Sequence, residues 1–325
     1  MYPLDQNRYS LYIGIPFCPT RCSYCSFPSY ALAGKTYKAQ PYIDTLIYEI
    51  NSIKDLMAGK KINTVYIGGG TPTAVSRKQL ESVIESVQTG FNGEIKEFTV
   101  EAGRPDTIDR DMLKMLKDKG VTRISINPQT MNGDTLKLIG RNHSPKSIIR
   151  AYNLAKSVGF DIINMDIILG LPGETPEDLQ YTLERIEELD PENLTIHILS
   201  LKRGSKLYNA GYKHIGKVNA EIEEMLDLTK EFTYKMNLLP YYLYRQKQIL
   251  GNLENVGYAK RGMECVYNIA MMEEKETVIG LGLGSVSKIF YPKENRIQRV
   301  PNFKGLDDYI RRVDELIARK KHYII

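Results

Sequence analysis

Six short apolar runs, each followed by an amphipathic helical pattern, set the strongest limit on how this chain can fold. The runs lie at residues 11–16, 62–67, 97–101, 122–127, 162–169 and 194–199. Strands that are apolar along their whole length are typical of a parallel sheet that is covered by helices or closed into a barrel. Eight β–α units need about 250 residues, whereas these six end before residue 206 of 325. The pattern predicts an α/β fold with a partial barrel of six β–α units.

Two of the intervening helices carry sequence signals for their first turn. Ser76 followed by Gln79 is the pattern of a capping box, in which each side chain bonds the backbone N–H of the other residue. Thr175 precedes Pro176, which suits an N-cap residue and a first-turn proline, and acidic residues follow at the positive end of the helix dipole. Both signals place a helix directly after a predicted strand and its loop.

The pattern changes after about residue 205. A helix of mixed charge is predicted over 218–236, a tyrosine-rich strand over 241–245, a glycine-rich segment at 280–284 and a basic helix over 306–320. We therefore expect two domains, a barrel over residues 1–205 and a smaller α+β domain over residues 206–325 that covers the site or shapes its substrate pocket.

Charge and hydropathy exclude several classes of protein. The 44 basic and 39 acidic residues leave a net charge of only +5, and tryptophan is absent, which argues against an obligate nucleic-acid binder. No run of 18 apolar residues is present, so no membrane span is expected. The first residues lack a basic stretch followed by an apolar run, and we therefore expect a cytoplasmic location.

Three of the four cysteines lie within eight residues, in the loop after the first predicted strand. Cys18, Cys22 and Cys25 have the spacing C-x-x-x-C-x-x-C. Disulfides are disfavoured by the odd local count, and a structural zinc site usually has a fourth ligand nearby in the sequence, where no histidine lies. Three thiolates instead favour a 4Fe–4S cluster with one open iron. Cys265 stands apart and is interpreted as a small buried side chain.

The triplet and four further motifs resemble the radical S-adenosylmethionine (radical SAM) superfamily. Within it, their order is similar to the oxygen-independent coproporphyrinogen III oxidase family, and most of all to its coproporphyrinogen dehydrogenase-like branch. The motifs are Tyr12-Ile-Gly-Ile-Pro-Phe-Cys18, Gly68-Gly-Gly-Thr-Pro-Thr73, Ile126-Asn-Pro-Gln129 with Arg141, and Asp166-Ile-Ile-Leu-Gly-Leu-Pro-Gly173. The resemblance implies that the partial barrel is the TIM-like barrel of radical SAM enzymes.

The resemblance also implies cofactors, partners and an activity. The cofactors would be a 4Fe–4S cluster and one or two molecules of S-adenosylmethionine (SAM), with an electron donor such as flavodoxin or ferredoxin. The reaction would be oxidative decarboxylation of coproporphyrinogen III propionates to vinyl groups, giving protoporphyrinogen IX, by a monomer. No side chain is assigned a catalytic role, because the cluster and SAM carry the chemistry. A haem-binding chaperone of the same family and another radical SAM enzyme that modifies tetrapyrroles remain the alternatives.

Several candidate SAM contacts have a physical argument beside the resemblance. Gly69 and Gly70, followed by Thr71, let the backbone approach the SAM amine closely, although a tight turn would also explain the glycines. Arg141 can pair with the SAM carboxylate, although alone it would be read as a surface charge. Asp166 lies inside an apolar run, where a carboxylate needs a partner such as the ribose hydroxyls, and Gln129 could share that contact.

The remaining candidates depend on the resemblance more heavily. Tyr24 would lie against adenine, Ser200 would contact the adenine side through its backbone, and Glu101 matches a SAM-contact position. Tyr12 matches a tyrosine that reaches the site from the first strand, and it equally fits a core aromatic.

Some positions bear on the substrate, and others depart from the family. Three cations are candidates for binding propionates, with a surface charge as the alternative for each: Lys202, Arg203 and Arg245. Ser26 stands where the main oxidase carries a further cysteine, and Gly14 where it carries a histidine, which puts substrate placement in doubt. Val286 is the weakly aligned candidate for a second SAM contact.

Overall fold

The computed structural model describes residues 7–32, 38–211, 220–246, 249 and 253–324. Within these residues the strands are β1 (Arg8–Ile15), β2 (Phe17–Cys18), β3 (Tyr30–Ala31), β4 (Lys61–Gly69), β5 (Glu97–Glu101), β6 (Arg123–Ser125), β7 (Ile162–Leu169), β8 (Asn193–Ile198), β9 (Leu239–Tyr244), β10 (Asn255–Ala259), β11 (Thr277–Gly282), β12 (Val286–Tyr291) and β13 (Arg296–Pro301).

The α-helices of the described residues connect these strands. They are α1 (Ala39–Lys54), α2 (Arg77–Gly90), α3 (Arg110–Asp118), α4 (Gly133–Leu138), α5 (Pro145–Val158), α6 (Pro176–Glu187), α7 (Lys206–Asn209), α8 (Ala220–Lys235), α9 (Val266–Glu273), α10 (Leu306–Arg311) and α11 (Val313–Ile324). No helix in the described part of the chain is both long and apolar enough to cross a membrane.

The six predicted strands form a parallel sheet in chain order. β1 pairs with β4, and β5, β6, β7 and β8 follow one after another, all parallel. Their inward and outward side chains are almost all buried, as in the run Asn193–Ile198. Strands covered on both faces need apolar side chains on both, which is why the sequence pattern was continuous rather than alternating. The predicted α/β fold with a partial barrel is confirmed.

Both predicted helix starts are present. Ser76 accepts from the backbone N–H of Gln79, whose side chain accepts from Ser76 in return, and α2 follows. Thr175 caps α6 in the same manner with Asp178 as its partner, and Pro176 occupies the first turn. These caps satisfy N–H groups that no helical carbonyl can reach, so the helix begins at a defined residue.

The residues after 205 extend this sheet at both edges. β11 pairs in parallel with β1, and β12 and β13 continue outward from it. At the opposite edge β10 pairs antiparallel with β8, and β9 lies outside it. The described residues thus form one sheet of eleven strands. The domain boundary at residues 205 and 206 stays a prediction, and strands from both sides of it hydrogen-bond to each other.

The predicted C-terminal elements are present with changed limits. The helix predicted over 218–236 is α8, with residues 218 and 219 outside the described part, and the tyrosine-rich strand is β9. The single basic helix predicted over 306–320 is wrong, because the chain forms α10 and α11 with a break at Arg312, whose φ of −125° is not helical.

Helix α9 lies on the inner face of the barrel. Tyr267 stacks on Tyr66 and on Tyr12, with ring centroids 4.5 and 6.3 Å apart. Cys265, just before α9, is buried and donates its thiol proton to Glu97 Oε1 at 3.2 Å. The interpretation of Cys265 as a small buried side chain is therefore confirmed, and α9 packs against tyrosines of β1 and β4.

Candidate active site

One cavity of about 470 Å3 opens at the carboxyl ends of the parallel strands. Loops at this end of a β–α barrel are free to carry function, because the strands below them supply a rigid support. With the exception of Val286, the candidate for a second SAM contact, the cavity collects every residue that the sequence predicted for cluster or SAM binding: Tyr12, Cys18, Cys22, Tyr24, Cys25, Gly69, Gly70, Thr71, Glu101, Gln129, Arg141, Asp166 and Ser200. Their roles there stay predictions, but their common location is a structural fact.

The candidate substrate contacts are distributed differently. Lys202 lines the cavity. Arg203 is exposed on the loop that follows, and Arg245 pairs with Glu254 at 3.1 Å on the surface. Val286 begins β12 with 38% of its surface exposed, and neither it nor Arg245 is among the residues that line the cavity. Of this group the structure brings only Lys202 to the site.

The cysteine loop is held in place by backbone hydrogen bonds on two sides. Ser23 donates its N–H to the carbonyl of Ile139 at 2.9 Å and accepts from the N–H of Leu207 at the same distance. The short strands β2 and β3 pair in parallel at the two ends of the loop. The loop is therefore fixed against both the turn after α4 and the segment after β8, which orients the cysteines toward the cavity.

All three cysteines are free thiols that face this cavity. Burial raises the pKa of Cys18 to about 11, even though Thr71 donates to its sulfur at 3.6 Å. Burial also raises the pKa of Cys25. A thiol in this state needs a nearby positive charge to become a thiolate, and bound iron supplies one. The thiols are thus suited to a metal-bound state rather than to acting as free nucleophiles.

The donor set fits a cluster better than a single ion. Within the described residues, no three Cys, His, Asp or Glu side chains meet closely enough to hold one metal ion. In a 4Fe–4S cluster each cysteine binds a different iron. The three cysteines must then line one cavity, and Cys18, Cys22 and Cys25 do so.

The glycines after β4 allow two backbone segments to pass very close together. A Cβ added at Gly70 would lie 2.6 Å from the carbonyl oxygen of Phe17, and Gly69 has a φ of +109°. The N–H of Thr71 donates to that same Phe17 oxygen at 2.7 Å. Glycine is therefore required here by the contact with the cysteine loop, and a contact with the SAM amine remains a prediction for the same residues.

Glu101 and Asp166 are carboxylates on the inner face with opposite pKa shifts. Burial raises the pKa of Glu101 to about 7, although Tyr66 donates to it at 2.6 Å. Burial acts on Asp166 in the same direction, but contacts from His197 and Asn164 overcome it and lower the Asp166 pKa. Asn164 Nδ2 lies 2.7 Å from Asp166 Oδ1. Near neutral pH Asp166 is ionised and ready to accept from a hydroxyl, while Glu101 titrates.

Arg141 and its neighbours present polar atoms without protein partners. Arg141 is only 6% exposed and donates to the carbonyl of Asn127, which excludes the alternative of a solvated surface charge. The atoms Arg141 Nε, Asn127 Oδ1 and Gln129 Oε1 are buried and unpaired. Gln129 also has a φ of +67°, rare for a side-chain-bearing residue. Unpaired buried groups and local strain gathered in a cavity are typical of a ligand site.

Comparison with known proteins identifies the family. A sequence model of the Radical SAM superfamily matches residues 12–186. The chain belongs to the radical SAM superfamily. The matched region runs from Tyr12 on β1 into α6, so it includes the cysteine loop and most of the cavity.

The relatives of this radical SAM chain narrow the family. It is 41% identical over 98% of its length to the oxygen-independent coproporphyrinogen-III oxidase-like protein HemZ of Bacillus subtilis, and it spans 64% of that protein. It is 30% identical over 98% of its length to the heme chaperone HemW of Lactococcus lactis, of which it spans 80%. These similarities confirm the assignment to the oxygen-independent coproporphyrinogen III oxidase family. The chain covers less than two thirds of the first of these relatives.

A solved structure supports the fold of the radical SAM chain. Coproporphyrinogen III oxidase (HemN) from Escherichia coli superimposes with a TM-score of 0.76 over 95% of this chain and 70% of that one. The sequence identity of the two is 24%. At this level the similarity establishes a shared fold, including the arrangement of strands beyond the six-stranded barrel.

Several residues of the radical SAM cavity were not predicted from the sequence. His197 Nε2 lies 3.6 Å from Asp166 Oδ2, and its Nδ1 lies 3.2 Å from the hydroxyl of Tyr244. His197 is a polar residue in an apolar strand, the same signal that singled out Asp166, and it could have been found in that way. Tyr242 and Tyr244 have no such signal, because β9 reaches the cavity only through its pairing with β10.

Proposed function

We propose that this chain holds a 4Fe–4S cluster through Cys18, Cys22 and Cys25 and binds SAM beside it. We further propose that it oxidatively decarboxylates the propionate side chains of coproporphyrinogen III to vinyl groups, giving protoporphyrinogen IX. The observation that carries this proposal is the meeting of the cysteine triplet with Arg141, Gln129 and Asp166 in one cavity. Membership of the radical SAM superfamily supports the proposed cofactors, and the similarity to coproporphyrinogen oxidase-like and haem-handling proteins supports the proposed substrate class.

Different side chains around the cavity would bind different parts of SAM. The guanidinium of Arg141 is buried and retains a free Nε, so it can pair with the SAM carboxylate. The ionised Asp166 can accept from ribose hydroxyls, with the free Gln129 Oε1 beside it. When bound, the cluster and SAM supply the electron transfer and the hydrogen-abstracting radical that such a reaction needs. The protein itself binds, orients and excludes water.

The cavity also has aromatic and cationic side chains of the kind expected to bind a tetrapyrrole. Tyr242 and Tyr244 lie nearly parallel, with ring centroids 6.3 Å apart, and both line the cavity. Flat aromatic faces suit a large conjugated or partly conjugated ring. Burial lowers the pKa of Lys202. A propionate placed beside Lys202 would raise this pKa again, because an opposite charge favours the ionised form.

Anaerobic reconstitution with iron and sulfide tests the proposal. The wild-type chain should take up a cluster and cleave SAM when reduced. With an electron acceptor present to take the remaining electron, it should convert coproporphyrinogen III into products that have lost CO2 and two hydrogen atoms for each vinyl group formed. Cys22→Ala should lose both iron and SAM cleavage, whereas Cys265→Ala should retain both, since Cys265 lies against Glu97 outside the cavity. SAM cleavage with no change in the mass of coproporphyrinogen would refute the substrate, and absence of a cluster would refute the whole proposal.

A haem-binding role without turnover is the second candidate. The observation that favours it is the similarity to HemW over nearly the full chain, together with Ser26 at the position after the triplet. Titration with haem separates the two candidates. Stoichiometric haem binding with no decarboxylation favours the chaperone role, while turnover of coproporphyrinogen excludes it as the principal function.

We propose a small electron-transfer protein of the flavodoxin or ferredoxin class as the reductant in the enzymatic case.

A further inference from the structure

Arg104 is a buried cation beside the cysteine loop. It follows β5, is only 2% exposed, and lies on the wall of the cavity. Its Nη1 lies 4.0 Å from Cys22 Sγ and 3.2 Å from Thr20 Oγ1. No sequence motif assigns Arg104 a role, and Arg104 is not one of the proposed SAM contacts.

We propose that Arg104 is a positioning residue that raises the reduction potential of the cluster by directing a fixed cationic donor at the Cys22 sulfur. This inference rests on cluster binding by the cysteine triplet, and it is independent of which substrate the protein takes. Hydrogen bonds to the sulfurs and nearby charge are among the factors that set the potential of iron–sulfur clusters.

The orientation of the guanidinium is fixed by Asp106. Arg104 Nε and Nη2 donate to the two carboxylate oxygens of Asp106 at 2.9 and 2.8 Å. A planar guanidinium has two usable edges, and a bidentate carboxylate occupies one of them completely. The remaining Nη1 must then point away from Asp106, which is toward Thr20 and Cys22.

The backbone of Arg104 is held as firmly as its side chain. The Thr107 hydroxyl donates to the Arg104 carbonyl at 2.8 Å, and Thr73 Oγ1 lies 2.6 Å from Thr107 Oγ1. Thr73 belongs to the segment that follows the glycines of β4. The Arg104 backbone is therefore tied to the segments that follow both β4 and β5.

Two buried cations, Arg104 and Arg141, lie beside Cys22, and Asp106 pairs with only one of them. Arg141 also contacts the Cys22 thiol. Burial, with Arg141 and Arg104 nearby, lowers the pKa of His143 to about 3, so this histidine is neutral and adds no charge of its own. A positive potential stabilises the more negative, reduced form of a cluster. Removing the Arg104 charge should therefore make the cluster harder to reduce.

The experiment measures the midpoint potential of the reconstituted cluster by redox titration followed with EPR. We expect Arg104→Gln to lower the equilibrium constant for one-electron reduction about tenfold, which corresponds to about 59 mV. Arg104→Lys should recover only part of the shift. Lysine retains the positive charge, but it lacks the planar guanidinium that Asp106 orients. Arg123→Gln is the matched control: Arg123 is equally buried, but it pairs with Glu97 at 3.4 Å and does not line the cavity.

Each outcome decides the inference. An unchanged potential in Arg104→Gln, or an equal shift in Arg123→Gln, overturns it. If Arg104→Gln fails to assemble a cluster while Arg104→Lys assembles one whose potential lies below the wild-type value, the cationic contact is supported. If neither variant assembles a cluster, Arg104 is structural and the redox role is refuted. A wild-type chain that assembles no cluster refutes the proposed function itself, and this result is distinct from all the others.

Discussion

The hydroxyl of Tyr66 donates to Oε1 of Glu101 across 2.6 Å on the inner face of the barrel. This hydrogen bond favours the ionised carboxylate, yet burial raises the pKa of Glu101 to about 7. The two effects oppose each other, and burial is the larger. The charge of Glu101 therefore changes around neutral pH.

Glu101→Gln should raise the stability of the cofactor-free protein at pH 8. Between the ordinary value of 4.5 and about 7, the folded chain holds a proton that the unfolded chain has released. Stability contributed by this group therefore falls as pH rises through that window and stays low above it. Removing the charge should recover up to about 3 kcal/mol at pH 8 and little at pH 4. Denaturant unfolding at the two pH values measures the difference.

Tyr66→Phe is the companion variant for Glu101. Removing the hydroxyl should raise the Glu101 pKa further and move the pH dependence of stability upward. If Glu101→Gln changes stability equally at pH 4 and pH 8, folding does not shift the pKa of this carboxyl group; if it lowers stability more at pH 8, contacts outweigh burial. Either result contradicts the raised pKa.

Asp166→Asn should weaken SAM binding at least tenfold. Asp166 already receives the amide of Asn164 at 2.7 Å, and as an ionised acceptor it has a further oxygen to offer a ligand. The amide of asparagine carries no charge, and in one of its two orientations it presents an NH2 group to the ligand instead of an oxygen. Hydrogen bonds to charged groups contribute about 1.5–3 kcal/mol, so the loss of the charged acceptor should weaken SAM binding. Calorimetric titration with SAM makes the measurement. Asp161→Asn, an exposed position just before β7, should bind as wild type does, and equal weakening in both variants would contradict the assignment.

Gly70→Ala should destabilise the fold by about 2 kcal/mol or more and disturb the cysteine loop. The added methyl group would lie 2.6 Å from the Phe17 carbonyl oxygen, where backbone has to move. Gly90→Ala is the control, since the nearest atoms there belong to the flexible Lys54 side chain at 3.8 Å. It lies at the end of α2 and should gain up to about 1 kcal/mol. Thermal unfolding of both variants compares them, and a neutral Gly70→Ala would show that the close approach is not required.

Lys320→Met should destabilise the protein by about 3–5 kcal/mol. Lys320 and Glu49 form an ion pair in which neither side chain is exposed, and the loss of one partner leaves the other charge buried and unpaired. Glu49 also accepts from Gly282 N–H at 2.8 Å and from the Tyr309 hydroxyl at 2.7 Å, so it joins α1 to the C-terminal strands and helices. Lys321→Met, the exposed neighbour, should change stability by less than about 0.5 kcal/mol in the same unfolding assay.

The local sequence was sufficient to predict the barrel and its cysteine loop. Continuous apolar runs predict buried parallel strands because such strands need apolar side chains on both faces, and the caps at Ser76 and Thr175 act over three residues. The spacing of Cys18, Cys22 and Cys25 is equally local. The motif residues meet in one cavity because parallel strands all end at the same edge of a sheet.

Other features depend on contacts between residues far apart in the chain. β11 lies beside β1, and β10 lies beside β8, because sheet edges satisfy their backbone groups with whichever strand reaches them, and no short sequence pattern specifies that partner. α9 enters the barrel for a similar reason, since Tyr267 packs on tyrosines from β1 and β4.

The sequence by itself determined the six-stranded barrel and the position of the cysteine triplet, since these follow from periodicity and spacing over a few residues, while the resemblance of its motifs to the radical SAM family supplied the other candidate site residues. Only the tertiary structure decided that Arg104 points at Cys22, that His197 and Tyr244 border Asp166, and that residues after 205 complete the sheet at both edges. Burial and the direction of a hydrogen bond are properties of the packed chain. They exist only when distant segments have excluded water from the same place.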